Sequence, residues 1–290
     1  MALSLIAANL ATLAIGSLFY GMYLVLFFIS MYMLLRRHNK THTSHKSRKD
    51  NSIFKSMVFV SAILLCLVVT LHWTTIIYRA FIAFVALEHG AEAEIFFNDH
   101  TQLTEIIQNG LMSVAILIGD SLIIHRLWVV WDSKLVIAVP VACLASFTVS
   151  SFISLRIAWK STDIFDNPLL KMNAVLTLLT NIYCTAFIIW KIWTITKVSM
   201  PSDGMNLRHF VVIVVESAGF YAIWAVFFSA TYEAHSNLQS TVIQTAPALV
   251  GIVNALIHTR VGLGWTSEQT EKMPEPSSPL MFRGREAVEE

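Results

Sequence analysis

Charge is scarce in this sequence. Only 13% of its 290 residues are Asp, Glu, Lys or Arg, about half the share usual in soluble domains. Hydrophobic residues make up 56% and the mean hydropathy is +0.63, which argues against an ordinary soluble fold. A net charge of +1 carries no nucleic-acid signal, so the placement of charge matters more than its sum. Cysteine is also rare. Cys66, Cys143 and Cys184 all fall in apolar runs, where they make neither a loop disulfide nor a metal-ligand spacing. They read as buried free thiols. No basic segment precedes the first apolar run, and that run is too long for a cleaved leader, so it reads as an uncleaved insertion signal. Only His72 and His125 fall clearly inside apolar runs, at opposite depths, which argues against a zinc site built from several histidines. The last apolar run has no lysine for a retinal Schiff base. We expect neither enzyme activity nor a cofactor or metal.

What is present is a series of apolar runs, each long enough to cross the hydrocarbon of a bilayer, which takes about 20 residues. They cover residues 8–35, 54–81, 106–131, 135–155, 170–196, 209–231 and 240–259. The expected fold is an all-α membrane protein, a seven-transmembrane-helix bundle over residues 1–260. Residues 261–290 are polar and rich in Pro, Ser and Glu, and read as a disordered cytoplasmic tail. Arg36, Arg37, Lys40, Lys46, Arg48 and Lys49 crowd the first loop, whereas Glu88, Glu92, Glu94, Asp99 and Glu105 occupy the second. Basic short loops stay in the cytoplasm. The N-terminus is therefore expected outside and the tail inside, with the plasma membrane as the location. Trp128, Trp131, Trp190, Trp193 and Trp265 then gather near the inner boundary, as an interfacial belt would. The sequon Asn39-Lys40-Thr41 falls inside and is expected to stay unmodified. Gly16, Ser17 and Gly21 offer a small-residue face for close packing. Pro247, followed by Gly251, is expected to kink the last helix.

A few ionisable groups sit within these runs, where they are costly and usually face a protein interior or a water-filled cavity. The stretch Gly119–Trp131 holds Asp120, His125 and Arg126. At 1.5 Å per residue, Asp120 lies roughly 16 Å from the inner face and Arg126 roughly 8 Å. Glu216 lies roughly 10 Å in and Asn254 roughly 8 Å in. Asp120, Arg126, Glu216 and Asn254 thus form a candidate inner polar switch. Asp120 and Arg126 are roughly 120° apart around their helix, so we expect Arg126 to meet Glu216 while Asp120 points towards Asn254. A static polar staple, or Arg126 snorkelling to the interface, is the plainer alternative. His125 reads as an interfacial imidazole. In the outer half, His72, Trp73 and Arg79 mark a candidate ligand pocket. His72 and Arg79 can bind an anionic group or pair with Glu88 or Glu105, and pairing is the favoured reading.

These residues carry a resemblance. Tyr20-Gly21-Met22-Tyr23-Leu24-Val25-Leu26, Gly119-Asp120 with His125-Arg126 and Trp131, Glu216-Ser217 with Tyr221, and Leu249-Val250-Gly251-Ile252 leading to Arg260-Val261-Gly262-Leu263-Gly264-Trp265 resemble a group of seven-span membrane proteins of mushroom-forming (basidiomycete) fungi. His125 stands where that group more often has tyrosine. The resemblance implies the architecture and supplies no ligand or reaction. The chain is more loosely similar to G-protein-coupled receptors in span number, orientation and an Arg in span three near a Glu in span six. It lacks their Asp-Arg-Tyr and Asn-Pro-x-x-Tyr motifs and an outer-loop cysteine pair.

The expected function is a receptor-like sensor, with membrane lipids, a small-molecule or lipid ligand and a cytoplasmic G protein or other effector as partners, and no nucleic acid. Effector contact would fall to the basic first loop, residues 197–208 and the tail, with Ser199, Ser202, Ser277 and Ser278 as candidate phosphosites. The alternatives are a small-molecule or lipid transporter using Asp120 and Glu216, and a non-catalytic membrane scaffold. The first alternative is weakened because no internal repeat of the kind common in transporters is evident.

Overall fold

The computed structural model describes residues 4–42, 49–86, 93–99, 101–159, 168–198, 204–234 and 236–271. Among them the chain is helical throughout, with no strand. The long helices are α1 (Leu5–His42), α2 (Lys49–Phe81), α4 (Leu103–Trp131), α5 (Lys134–Ala158), α6 (Pro168–Val198), α7 (Gly204–Glu233) and α8 (Leu238–Glu271). A single π-helical turn, Ile82–Ala86, ends α2, and the short α3 (Ala93–Asn98) follows. Six of the long helices, α7 apart, are long and apolar enough to cross a membrane over their described residues. The architecture is that of a multi-pass helical membrane protein.

A helix suits this composition because hydrocarbon offers no hydrogen-bond partners, so each backbone N–H and C=O must be satisfied within the segment. Hydroxyl side chains on outward faces obey the same rule. Thr74, Thr75, Ser121, Ser146 and Thr148 are exposed, and each donates back to the carbonyl one turn earlier. The outward faces are otherwise apolar: Leu18 and Phe28 on α1, Leu67 and Leu71 on α2, Phe152 on α5, and Val226 and Phe227 on α7. Apolar surface this extensive marks contact with lipid.

Around the bundle α1 packs on α2, α2 on α4, α4 on α5, α5 on α6, α6 on α7, α7 on α8, and α8 on α1. α4 passes through the middle, touching α6 and α8 as well as its chain neighbours. A two-residue turn joins α4 to α5. Asp132 takes the left-handed conformation there (φ 49°) and returns its N–H to the Trp128 carbonyl at 2.8 Å, a helix-ending device open to Asp because its short polar side chain tolerates that region.

Glycine sets the closest approaches. A Cβ on Gly119 of α4 would lie 2.4 Å from Val250 Cγ1 of α8, and one on Gly251 would lie 2.6 Å from the Tyr23 ring of α1. Gly16 and Gly21, the glycines of the expected α1 packing face, have nothing within 4 Å of such an atom. Tyr23 instead drops its ring onto the bare backbone of α8. Gly251 is thus a seat for that ring as well as a neighbour of Pro247. α8 is far more enclosed than α1, which turns most of its surface outward. The α8 helix continues past Thr259 to Glu271, and residues 272–290 lie outside the described residues.

Candidate functional site

The site begins with a stripe on α4. Glu105, Gln108, Asn109, Met112, Ser113 and Ile116 recur at helical spacing and therefore share one face. α6 presents a matching stripe of Leu170, Asn173, Ala174 and Thr177. Between them, and closed by α1, α2, α5, α7 and α8, is a cavity of about 210 Å³ at the end of the bundle that carries α3. Its apolar lining includes Ile76, Phe147, Trp224 and Phe228, and its polar lining includes Gln239 and Gln244 of α8.

Of the three residues expected in an outer pocket, Arg79 alone lines this cavity. Its Nη2 donates to Glu105 Oε2 at 3.0 Å, its Nη1 donates to Thr104 Oγ1 at 2.9 Å, and Phe96 lies under the guanidinium at 5.3 Å. Glu105 is one of the two acids the sequence offered it. His72 is buried behind the wall, its Nε2 3.0 Å from Oε1 of the lining residue Gln244. Trp73 faces α1, stacked on Tyr20 at 4.4 Å between ring centres, with its indole N–H directed at Ser17 Oγ, 3.4 Å away.

The two stripes meet one turn deeper. Thr177, itself in the cavity wall, donates its hydroxyl to Asp120 Oδ2 at 2.7 Å. Asn181, one turn further along α6, donates to Asp120 Oδ1 at 3.2 Å and to the Thr177 carbonyl at 3.0 Å. Asp120, Thr177 and Asn181 are all buried. A carboxyl group removed from water is tolerable when its oxygens are met by donors, and these two side chains supply them. The depth argument directed Asp120 towards Asn254; its described hydrogen bonds run to α6.

Asn254 serves Arg126 instead. Arg126 Nη2 is 3.4 Å from Asn254 Oδ1, while Asn254 Nδ2 donates to the Val250 carbonyl at 3.0 Å. Glu216 is exposed on α7. His125 sets its ring edge-on to Trp128, 6.0 Å between centres. Trp131 donates its indole N–H to the Phe187 carbonyl at 2.9 Å, joining α4 to α6 below Asp120. Ser199, Ser202, Ser277 and Ser278 lie outside the described residues.

Sequence reasoning missed Thr177, Asn181, Gln108 and Gln239. A signal existed for the first two: Asn173, Thr177 and Asn181 mark successive turns of one face in an apolar run, the pattern of a helix that bonds its neighbours through polar side chains. Trp224 was also missed. Its indole N–H donates to the Val242 carbonyl at 2.9 Å, close to where Pro247 denies the Ile243 carbonyl its usual helical donor.

Among the described residues no cluster of three or more His, Cys, Asp or Glu side chains is placed to hold a metal ion. Comparison with protein-family models, with curated proteins and with solved structures found no match to this chain.

Proposed function

We propose that the chain is a seven-span receptor-like sensor, with α7 as the seventh crossing, the α3 end facing outward and the opposite end facing an effector. The observation that carries this reading is the continuity of the cavity with the buried polar set. Thr177 is at once a wall of the cavity and a donor to Asp120. A molecule seated in the cavity would touch the hydroxyl that holds Asp120, and Asp120 lies on the same helix as Arg126. Coupling between two sites needs an element that both can bias, and α4 is the element that reaches both.

The test uses the purified chain in nanodiscs with purified heterotrimeric G protein, wild type against Asp120→Asn. Binding or nucleotide exchange that differs between the two supports the sensor. If neither form binds the G protein in any nucleotide state, coupling through G proteins falls. A transporter is the second reading, favoured by a buried carboxyl group directly beneath a cavity. It predicts that proteoliposomes carry a cavity ligand across the bilayer and that Asp120→Asn stops them.

A further inference from the structure

The charges of the cavity wall cancel. Arg79 and Glu105 are its ionisable residues, and they are paired at 3.0 Å. An ionic guest would have to break that buried pair or enter uncompensated, and both are costly. Neutral carboxamides supply much of the remaining polarity, and that of Gln239 is unsatisfied among the described residues. Gln239 is 2% exposed, and neither its Oε1 nor its Nε2 has a hydrogen-bond partner among the described residues. Gln108 lines the α4 wall of the cavity and is 5% exposed. Gln244 spends its Oε1 on His72 and keeps its amide N–H groups. Buried amides left unbonded are costly, and each offers both donor and acceptor.

We infer that this cavity binds an uncharged amphipathic molecule, an apolar body carrying one amide group, with the amide held between Gln108 and Gln239 and the body against Ile76, Phe147, Trp224 and Phe228. An amide is the match because it presents a donor and an acceptor side by side, as each glutamine does. A cavity of about 150 Å³ accommodates benzene, so 210 Å³ suits a guest of roughly ten non-hydrogen atoms. This inference rests on the cavity being the ligand site of the proposed sensor, and not on the identity of the effector.

The experiment is saturation-transfer NMR of the full chain in nanodiscs with three probes of one length, hexanamide, hexanoate and hexylammonium, with empty nanodiscs subtracted. The expected result is transfer to hexanamide about fivefold above either ion, reduced about tenfold in affinity by Gln108→Leu with Gln239→Leu, in line with a site whose polar groups are left unpaired. Gln108→Glu, a smaller change, should turn the preference towards hexylammonium. Equal transfer to all three probes overturns the inference, because the amides then select nothing. A preference for hexanoate overturns it in favour of Arg79 as an anion site. No transfer to hexanamide overturns it too, leaving the carboxamides as water sites. Hexanamide binding without any G-protein response removes G-protein coupling and leaves the ligand class standing; G-protein coupling without hexanamide binding does the reverse.

Discussion

Thr177 joins two things that its side chain could have kept apart, a cavity wall and a buried carboxyl group. Thr177→Val keeps the shape and removes the donor to Asp120, which should cost about 1–3 kcal/mol, the range for leaving a buried polar group unmet. Thr177→Ser restores the hydroxyl and should recover most of the loss. Thermal unfolding of the three forms in detergent is the check, and equal melting of Val and wild type would show that Asp120 does not depend on this bond. The Arg79–Glu105 pair gives a sharper contrast. Glu105→Gln strands a buried guanidinium and should cost about 3–5 kcal/mol. Arg79→Met with Glu105→Leu removes both charges and should melt much closer to wild type. If the double variant is no better than the single, the pair is not what sets the cost. Asp120 and Arg79 were legible in the sequence because charge inside an apolar run has no cheap explanation. Thr177 and Gln239 were not, because Thr and Gln within a run are common and each becomes informative only when another helix supplies its partner or fails to.

At the scale of the helix, small residues decide where backbones meet. The sequence placed Gly16 and Gly21 as the close-packing glycines of α1, but composition alone does not tell which face of a helix points to lipid. The structure assigns close approach to Gly119 and Gly251. Gly119→Ala should therefore destabilise by about 1–3 kcal/mol through overpacking, and Val250→Ala in the same chain should relieve it. Gly251→Ala should behave like Gly119→Ala, with Tyr23→Leu as the relief. Gly16→Ala and Gly21→Ala meet nothing within 4 Å and should be neutral or stabilising by up to about 1 kcal/mol, since alanine orders a helix better than glycine. The four single variants form one unfolding series. Equal effects at all four positions would mean that the α4–α8 and α1–α8 contacts are looser than described. Helix existence was readable from hydropathy because a span must be apolar for its whole length. Helix partners were not, because lipid and neighbouring helices are equally apolar and the sequence does not distinguish them.

For the whole molecule the open quantity is which end faces which side, and whether α7 crosses. Lys and Arg crowd the first loop and acids the second, an asymmetry that orients a chain during insertion. If α7 crosses, residues 202 and 236 lie on opposite sides of the membrane, since Gly204–Glu233 separates them. Single cysteines at these positions, in a chain with Cys66, Cys143 and Cys184 replaced by Ala, should react with a membrane-impermeant maleimide on intact cells at Ser236→Cys and only after permeabilisation at Ser202→Cys. Labelling of both from the same side would leave α7 lying against the bundle without crossing it. A sequon introduced at residues 87–92 should be glycosylated, and the natural Asn39 sequon should not, because the basic end of α1 that holds it stays inside. Modification of Asn39 would invert the molecule. The α3 end with its cavity would then face the cytoplasm, and the cavity would be a site for an internal ligand under the same Thr177–Asp120 contact. The chemistry of the site survives either orientation, whereas its use as an external sensor requires the first.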